Sequence, residues 1–589
     1  MQTRPRATSR PAAAFVAGLL ALSLLATACG GASEGAKKEK EDFTDRGLNK
    51  EAGESGIDKA GEPKRGGKLT YALEADTNGG FCLPEAQLAI SGMMVVRAVY
   101  DTLTVPNAKG DYVPYLAQEI TPNDDYTEWT IKVREGIKFH DGSPLTAEVV
   151  KNNIDAYRGT YPGRAPLLFL FVLKNIKSTE VIDELSMKVT TTKPWVAFPS
   201  YLYSSSRFGM MAQAQLDNKT SCGTQPIGTG PFKFVSWTPN QKFVTEANPD
   251  YWQIAPDGKP YPYADSLEFR PITDGQVRNQ ALEAGDINVM HTSNGADIGN
   301  KLLKLRDAGK ANMFVSEGSG EVAFIQMNQT KAPFDDIRIR QALAMGADRA
   351  DINRLIGDGL PTIASGPFAP DSVAYLKDAG FPKFDAAKAK ALVKAYVADG
   401  GKAEFTLTAG TDATTKRLAE IIQQKAQAAG MTVKIVQRDQ AAIINDAIGK
   451  KYQAMLFRNY PGGDPDANYV WWYSGTTTAG KFAPNIVNFA GIKDPKVDSL
   501  LDEGRSESDP AKRKEIYQDL NRQMASQVHG LWSWYTPWAI VEGANVHGIL
   551  GPPLPGADAS KPSSDTDENF KPNLGLATGH SLLGLWIDK

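Results

Sequence analysis

Cysteine is nearly absent from this chain: Cys29, Cys82 and Cys222 are the only three among 589 residues. Histidine is almost as scarce. His140, His291, His529, His547 and His580 are five, and no two lie close enough in sequence to form a local metal or catalytic pair. There is no CxxC, no HExxH, no P-loop and no G-x-S-x-G, so the local signatures of zinc sites, metalloproteases, nucleotide hydrolases and α/β-hydrolases are missing. The glycines of "GTGPF" at 228–232 do not have the GxGxxG spacing. A basic excess is missing too: the formal net charge is −3, which gives no support for nucleic-acid binding. After Ala28 no apolar run is long enough to span a membrane. These absences point away from catalysis, and no catalytic residue, cofactor or metal is expected.

What is present begins at the N-terminus. Residues 1–11 carry Arg4, Arg6 and Arg10 without an acid, and Ala12 to Ala28 is apolar except for Ser23 and Thr27. A basic segment, a short apolar run and small residues before a cut make a secretory signal. Ala26-Thr27-Ala28-Cys29 resembles a bacterial lipobox, with Ala26 where leucine is commonest and Leu25 just before it. In that reading Cys29 is the lipidation site and the first residue of the mature chain. Several acyl chains hold a membrane better than the marginal grip of one. Residues 30–65 are nearly free of large apolar side chains, and roughly half are charged. Such a segment is a solvated tether, with a reach on the order of 30–35 Å as a coil.

From Gly66 the composition becomes that of a folded domain, within a chain that is 42% hydrophobic and 23% charged. "GGKLTYALEAD" reads as an opening strand and "AQLAISGMMVVRAVYDTLT" as a helix. "YTEWTIKVREGIKF" alternates as strands do; Asp141-Gly142 is a turn, and Thr146 is the N-cap of the helix after it. Between about 330 and 530, strands alternate with helices. Asp336 caps one helix, Gly430 ends another, and Asp509-Pro510 starts a third. This is the pattern of an α/β layered lobe. Cys82 and Cys222 form an even pair in an exported chain, which suggests a disulfide closing a loop of about 140 residues, worth at most ~5 kcal/mol; two unpaired buried thiols are the alternative.

Four segments in order carry a resemblance. They are "YVPYLAQEITPNDDYTEWTIKVREGIKFHDGSPLTAEVV" (112–150), "PIGTGPF" (226–232) with "NPDYW" (248–252), "MNQTKAPFDDIRIRQALAMGADRADI" (327–352) and "NYPGGDPDANYVWW" (459–472). Together they resemble the extracellular solute-binding proteins of family 5 of ABC importers, which include peptide- and nickel-binding proteins. The resemblance implies an α/β, two-lobed periplasmic-binding-protein-like clamshell (type II) with an extra small domain on the first lobe. On that plan residues 1–28 are the lipoprotein signal peptide and 29–65 the lipid-anchored tether. Segments 66–97, 223–318 and 540–589 build lobe I, 98–222 is its additional subdomain, and 319–539 is lobe II. A peptide or other small solute would sit in the cleft, the lobes would close on it, and the loaded protein, a monomer, would dock on a membrane permease and its ATPase. It would be exported and held at the outer face of the cytoplasmic membrane. The competing readings are a secreted enzyme and a sensory surface lipoprotein on the same scaffold. Most motif residues have structural roles: Gly228, Gly230 and Pro231 are expected to fix a tight turn near the hinge.

The informative segment for the ligand surrounds residue 461. Peptide-binding relatives tend to carry an acid, two residues, then Asp/Glu-Pro, and the first acid pairs with the peptide α-ammonium. Anchored on Asp464-Pro465, that place holds Pro461, and the acid is lost. Counting along the strand from Arg458 puts Asp464 there instead. The first alignment matches the motif better. Arg458 and Tyr460 flank the motif at a strand end; Arg458 can fork onto a ligand carboxylate or serve in a salt bridge. Trp472 and Trp534 are aromatic candidates for the pocket lining. Each has a neighbour, Trp471 or Trp532, that competes with it for core packing.

Overall fold

The computed structural model describes residues 61–77, 79–318, 321–459, 462–478, 481–556 and 581–588. The signal, most of the tether, Cys29, Tyr460, Pro461 and His580 lie outside the described residues.

The opening strand, Lys68–Leu73, forms where expected and becomes the centre of a seven-stranded sheet. It runs parallel to Ser266–Pro271 on one side and Val289–Thr292 on the other. Trp538–Gly543 and Ala311–Ser316 continue the sheet antiparallel on the second side, and Lys242–Ala247 and Phe232–Thr238 on the first. A separate four-stranded antiparallel sheet holds Ala117–Pro122, Glu128–Val133, Ser186–Thr191 and Ile176–Val181. Glu128–Val133 buries Trp129, Ile131 and Val133 and exposes Thr130 and Lys132, the alternation of a sheet with one wet face. Thr146 caps the helix Ala147–Arg158 by accepting from the Val149 amide.

The second lobe is built on a five-stranded sheet in the order Thr432–Gln437, Glu404–Ala409, Ala454–Asn459, Val322–Met327, Leu531–Tyr535. Its first three strands are parallel and joined through helices Ala413–Ala428 and Gln440–Ile448, as the strand-helix alternation requires. Helix Ala413–Ala428 buries Ala419, Ile422 and Ala426 on one stripe and is followed by Gly430 at φ +95°. Asp336 and Asp509 cap their helices. Strand Ala311–Ser316 belongs to the first sheet and Val322–Met327 to the second, the chain returns to the first at 536–537, and the Thr536 amide donates to the Glu321 carbonyl at 2.7 Å.

The sequence motifs converge on one another. The buried Asp101 carboxylate accepts from Thr229 Oγ1 (3.1 Å), Trp252 Nε1 (3.1 Å) and Tyr251 OH (3.3 Å). His140 of the first motif holds the second: its Nε2–H donates to the Gly230 carbonyl at 2.9 Å, and its own amide donates to the Gly228 carbonyl. Burial pulls the His140 pKa down to about 4, so the ring is neutral. Gly228 and Gly230 stand at a bend over Thr229–Pro231, but it is not left-handed backbone that requires glycine there. Neither has positive φ. Both pass against the end of helix Ile90–Val99, where a Cβ on Gly228 would lie 2.0 Å from the Val99 carbonyl oxygen, and one on Gly230 2.5 Å from the Val99 carbonyl carbon. Close backbone approach requires these glycines. Cys82 and Cys222 are bonded, with Cα atoms 5.0 Å apart. No helix among the described residues is long and apolar enough to cross a membrane.

Candidate ligand-binding cleft

Strand ends bring the polar groups together. The register Tyr71↔Val289 and Ala72↔Met290 carries on to set Glu74 beside Thr292, just past the C-terminal ends of two parallel strands. That edge is where α/β sheets bind ligands. Glu74 accepts from the Ser293 amide (2.8 Å) and hydroxyl (2.9 Å), from Thr292 Oγ1 (3.3 Å) and from Arg278 Nη2 (3.4 Å). Burial works to raise its pKa, but Arg278, Arg458 and the Ser293 amide outweigh it and hold the carboxyl below the usual range.

Beside it, His291 Nε2 accepts from the Glu74 amide at 3.0 Å and touches Ser91 Oγ at 3.2 Å. Its ring stacks on Trp538 (5.2 Å between centroids, 25° between planes). Burial pulls its pKa down to about 3, so it is a neutral acceptor within the wall. Among the described residues, no group of three or more His, Cys, Asp or Glu side chains is placed to hold a metal ion.

The opposite wall comes from the second lobe. Ala323 pairs with Arg458 on one side and Trp534 on the other, so these three share one face of the sheet. Arg458 reaches across to the first lobe: its Nη1 donates to Ser293 Oγ at 2.8 Å and lies 3.3 Å from Glu321 Oε2. The guanidinium sits 5.7 Å from the centre of the Trp538 ring, on the returning strand. Arg458 is surrounded by protein groups, yet its side chain keeps 42% of its surface accessible, as expected for a side chain projecting into an internal cleft. Burial opposes its charge, but Glu321 and Glu74 raise its pKa further. Glu321 is the converse: burial pushes its carboxyl up, against the pull of Arg458.

A separate open pocket lies between the first-lobe subdomain and the second lobe, and none of Glu74, Ser293, Glu321, Arg458 or Trp538 is in its lining. Arg207, Tyr112, Phe169 and Tyr201 line it from the first-lobe side, and Ala467 and Trp471 from the second.

The motif acids are occupied elsewhere. Asp464 is held by both Nη atoms of Arg513 (2.7 and 3.0 Å) and caps the turn at the Asp466 amide. This corrects the alignment that made Asp464 a ligand partner, because its oxygens are committed within its own lobe. Asp466 is fully buried and accepts from Arg505 Nε (3.0 Å) and Trp195 Nε1 (2.9 Å). Its backbone carbonyl takes the Tyr201 hydroxyl. The Asp-Pro-Asp motif is thus a joint between the second lobe and the four-stranded subdomain. Trp472 is corrected as well: it is 1% exposed, packs edge-on against Trp532 and donates from Nε1 to Asn468. Core packing claims it, because Phe324, Trp532 and Trp472 meet on the sheet face opposite Arg458. Trp534 is half-buried on the Arg458 face, and Tyr460 lies outside the described residues.

Glu74, Ser293, Glu321 and Trp538 were not singled out from the sequence. Glu74 and Ser293 carried a signal, a polar residue directly after an apolar strand. Glu321 and Trp538 carried none, because only the sheet crossings bring them to the cleft.

The model for bacterial extracellular solute-binding proteins, family 5 (Middle), matches residues 111–481. The chain is 27% identical over 431 residues to the glutathione-binding protein GsiB of Pectobacterium atrosepticum, covering 72% of this chain and 80% of that protein. Its fold matches that of AgaA from A. tumefaciens R10, solved with agropinic acid (TM-score 0.74, 23% identity, 89% of this chain and 99% of that one). It also matches the oligopeptide-binding protein AppA of Bacillus subtilis, solved with a nonapeptide (TM-score 0.72, 21% identity, 90% and 100%). With more than half of its length matched, this chain belongs to the bacterial extracellular solute-binding proteins of family 5, the binding components of ABC importers and not enzymes.

Proposed function

We propose that this protein captures a peptide or peptide-like solute bearing a carboxylate, holds that carboxylate on Arg458, and delivers the solute to the permease and ATPase of an ABC importer. The observation that carries the reading is Arg458 itself. It is a permanently charged fork at the C-terminal end of a strand, it faces the other lobe, and 42% of its side chain is accessible. A guanidinium so placed matches a carboxylate in two parallel hydrogen bonds. Trp534 on the same sheet face supplies apolar contact. The relative named for glutathione and the fold neighbours solved with agropinic acid and a nonapeptide support a peptide-like ligand.

The finer organisation belongs to the same proposal. Lipid on Cys29 anchors the mature monomer outside the cytoplasmic membrane, 29–65 is its tether, and the lobes divide between Ser316 and Val322 and again at 536–537, two residues before the expected boundary at 539, because Trp538–Gly543 pairs with first-lobe strands. A tether raises the effective concentration of binding protein at the permease. Calorimetric titration of the protein and its Arg458→Ala variant with a panel of short peptides tests the reading. Loss of the guanidinium should weaken every carboxylate-bearing binder by about a hundredfold or more. Equal affinities in the two proteins would refute it.

A further inference from the structure

The two sulfurs of the Cys82–Cys222 bond are not equivalent. Arg164 Nη1 donates to Cys82 Sγ at 2.8 Å. The Arg164 side chain is 2% exposed, and its Nε is buried without a hydrogen bond. Its Nη2 holds the Asn218 carbonyl at 3.3 Å. Glu85 Oε1 lies 3.4 Å from Nη1, on a side chain that is 36% exposed, so water screens that carboxylate while the guanidinium stays pressed on one sulfur. The backbone around the two cysteines differs as well. Cys82 lies in the buried run Phe81–Pro84 that leads toward helix Ile90–Val99. Cys222 is itself buried, but it belongs to turns over 218–225 in which Asn218, Lys219, Thr220, Thr224 and Gln225 are exposed. Asn218 Oδ1 and the Ser221 carbonyl hold those turns, outside any strand or helix. Such a stretch opens locally at small cost.

We propose that Cys82–Cys222 is a directed thiol–disulfide exchange site, which a thiol reductant enters at Cys222 and from which Cys82 departs as a thiolate held by Arg164. The external thiolate attacks Cys222 Sγ. A new S–S bond forms there as the Cys82–Cys222 bond breaks, and the electron pair of the broken bond stays on Cys82 Sγ. The arginine charge stabilises that thiolate, and the better leaving thiol departs faster. A dithiol reductant completes the step: its second thiolate attacks its own sulfur in the mixed disulfide, Cys222 leaves as a thiolate, and the reductant departs as a disulfide. Two electrons have then passed to the protein, and the oxidised dithiol restores the bond by the reverse route. The site bears on the cleft. The chain around Cys82 joins Glu74 to Ser91, and Ser91 Oγ accepts from the Ala75 amide and touches His291, both at 3.2 Å. Opening the bond releases this part of the first-lobe wall from the 218–225 turns.

The test treats the intact folded protein with excess 2-mercaptoethanol, quenches early with acid, alkylates the thiol set free and locates the adduct by peptide mass spectrometry. The adduct on Cys222 should exceed that on Cys82 by about tenfold or more. Arg164→Lys keeps a cation beside the sulfur and should keep the preference. Arg164→Met should bring the two adducts within about threefold of each other and slow the cleavage. Should the methionine variant misfold, the parent and the lysine variant still decide. An adduct shared equally, or formed mainly on Cys82, overturns the proposal, as does a bond that excess thiol leaves intact in the folded protein. A preference for Cys222 that survives unchanged in Arg164→Met also overturns it, because exposure of the 218–225 turns would then account for the direction without the arginine.

Discussion

The joint at Asp466 provides a perturbation whose size follows from the structure. Asp466 is fully buried, and Arg505 keeps only 4% of its side chain exposed. The guanidinium lies 3.5 Å from the centre of the Tyr469 ring and 4.8 Å from that of Trp195. Asp466→Ala removes the only carboxylate bonded to this cation among the described residues and also the acceptor for Trp195 Nε1. Stranding one partner of a buried pair costs about 3–5 kcal/mol. A cooperative unit of roughly 500 residues has an unfolding entropy near 1 kcal/mol per kelvin, so the melting temperature should fall by about 3–5 °C. Because Trp195 and Tyr201 reach Asp466 from the subdomain, the loss should appear first as exposure of their interface, with a red shift in tryptophan emission before the main transition. The double variant Asp466→Asn with Arg505→Met removes both charges and keeps the acceptor for Trp195, so it should recover at least half of the loss. Differential scanning calorimetry with fluorescence checks this. A single variant that melts within 1 °C of the parent, or a double variant worse than the single, would refute the reasoning.

Three other outcomes follow. Reducing the Cys82–Cys222 bond opens a loop with a sequence separation of 140; it should lower the melting temperature by an amount corresponding to no more than ~5 kcal/mol, read by calorimetry with and without reductant. His140 and His291 have folded pKa values depressed to about 4 and about 3, so they contribute stability fully present above about 6.5 that is lost as pH falls through those values. Asp101, raised to about 6 by burial, acts in the opposite sense, favouring the fold below about 4 and losing that contribution as pH rises through 6. Urea midpoints should therefore drop between pH 6.5 and 3, and His291→Gln should flatten part of that slope. Gly228→Ala places a methyl 2.0 Å from the Val99 oxygen and should cost several kcal/mol or prevent folding, whereas Gly110→Ala, in open space at φ +89°, should cost about 1 kcal/mol.

Much of the architecture was legible because it rests on local chemistry. Helix caps at Thr146, Asp336 and Asp509 and the period of Glu128–Val133 follow from side chains close in sequence. The pairing of Cys82 with Cys222 followed from their number and the exported context. The site was less legible. Arg458 was singled out as the charged residue at a strand end. Its partners Glu321, Ser293 and Trp538 come from sheet crossings and strand ends at least 80 residues away in sequence. Asp464 and Trp472 were misread for the same reason: Arg513 and Trp532 that occupy them sit on distant elements. The bend at Gly228 was legible but its packing against Val99 was not, because a glycine does not announce whether it is there for its φ or for the space it leaves.

The central claim is that Arg458 holds the carboxylate of a peptide-like solute. Mass spectrometry of the small molecules released on denaturing the natively purified protein, compared with the same preparation of Arg458→Ala, tests it most directly. A carboxylate-bearing peptide-like molecule retained by the parent and lost from the variant is the predicted result. A neutral ligand, or one retained equally by both proteins, would contradict it.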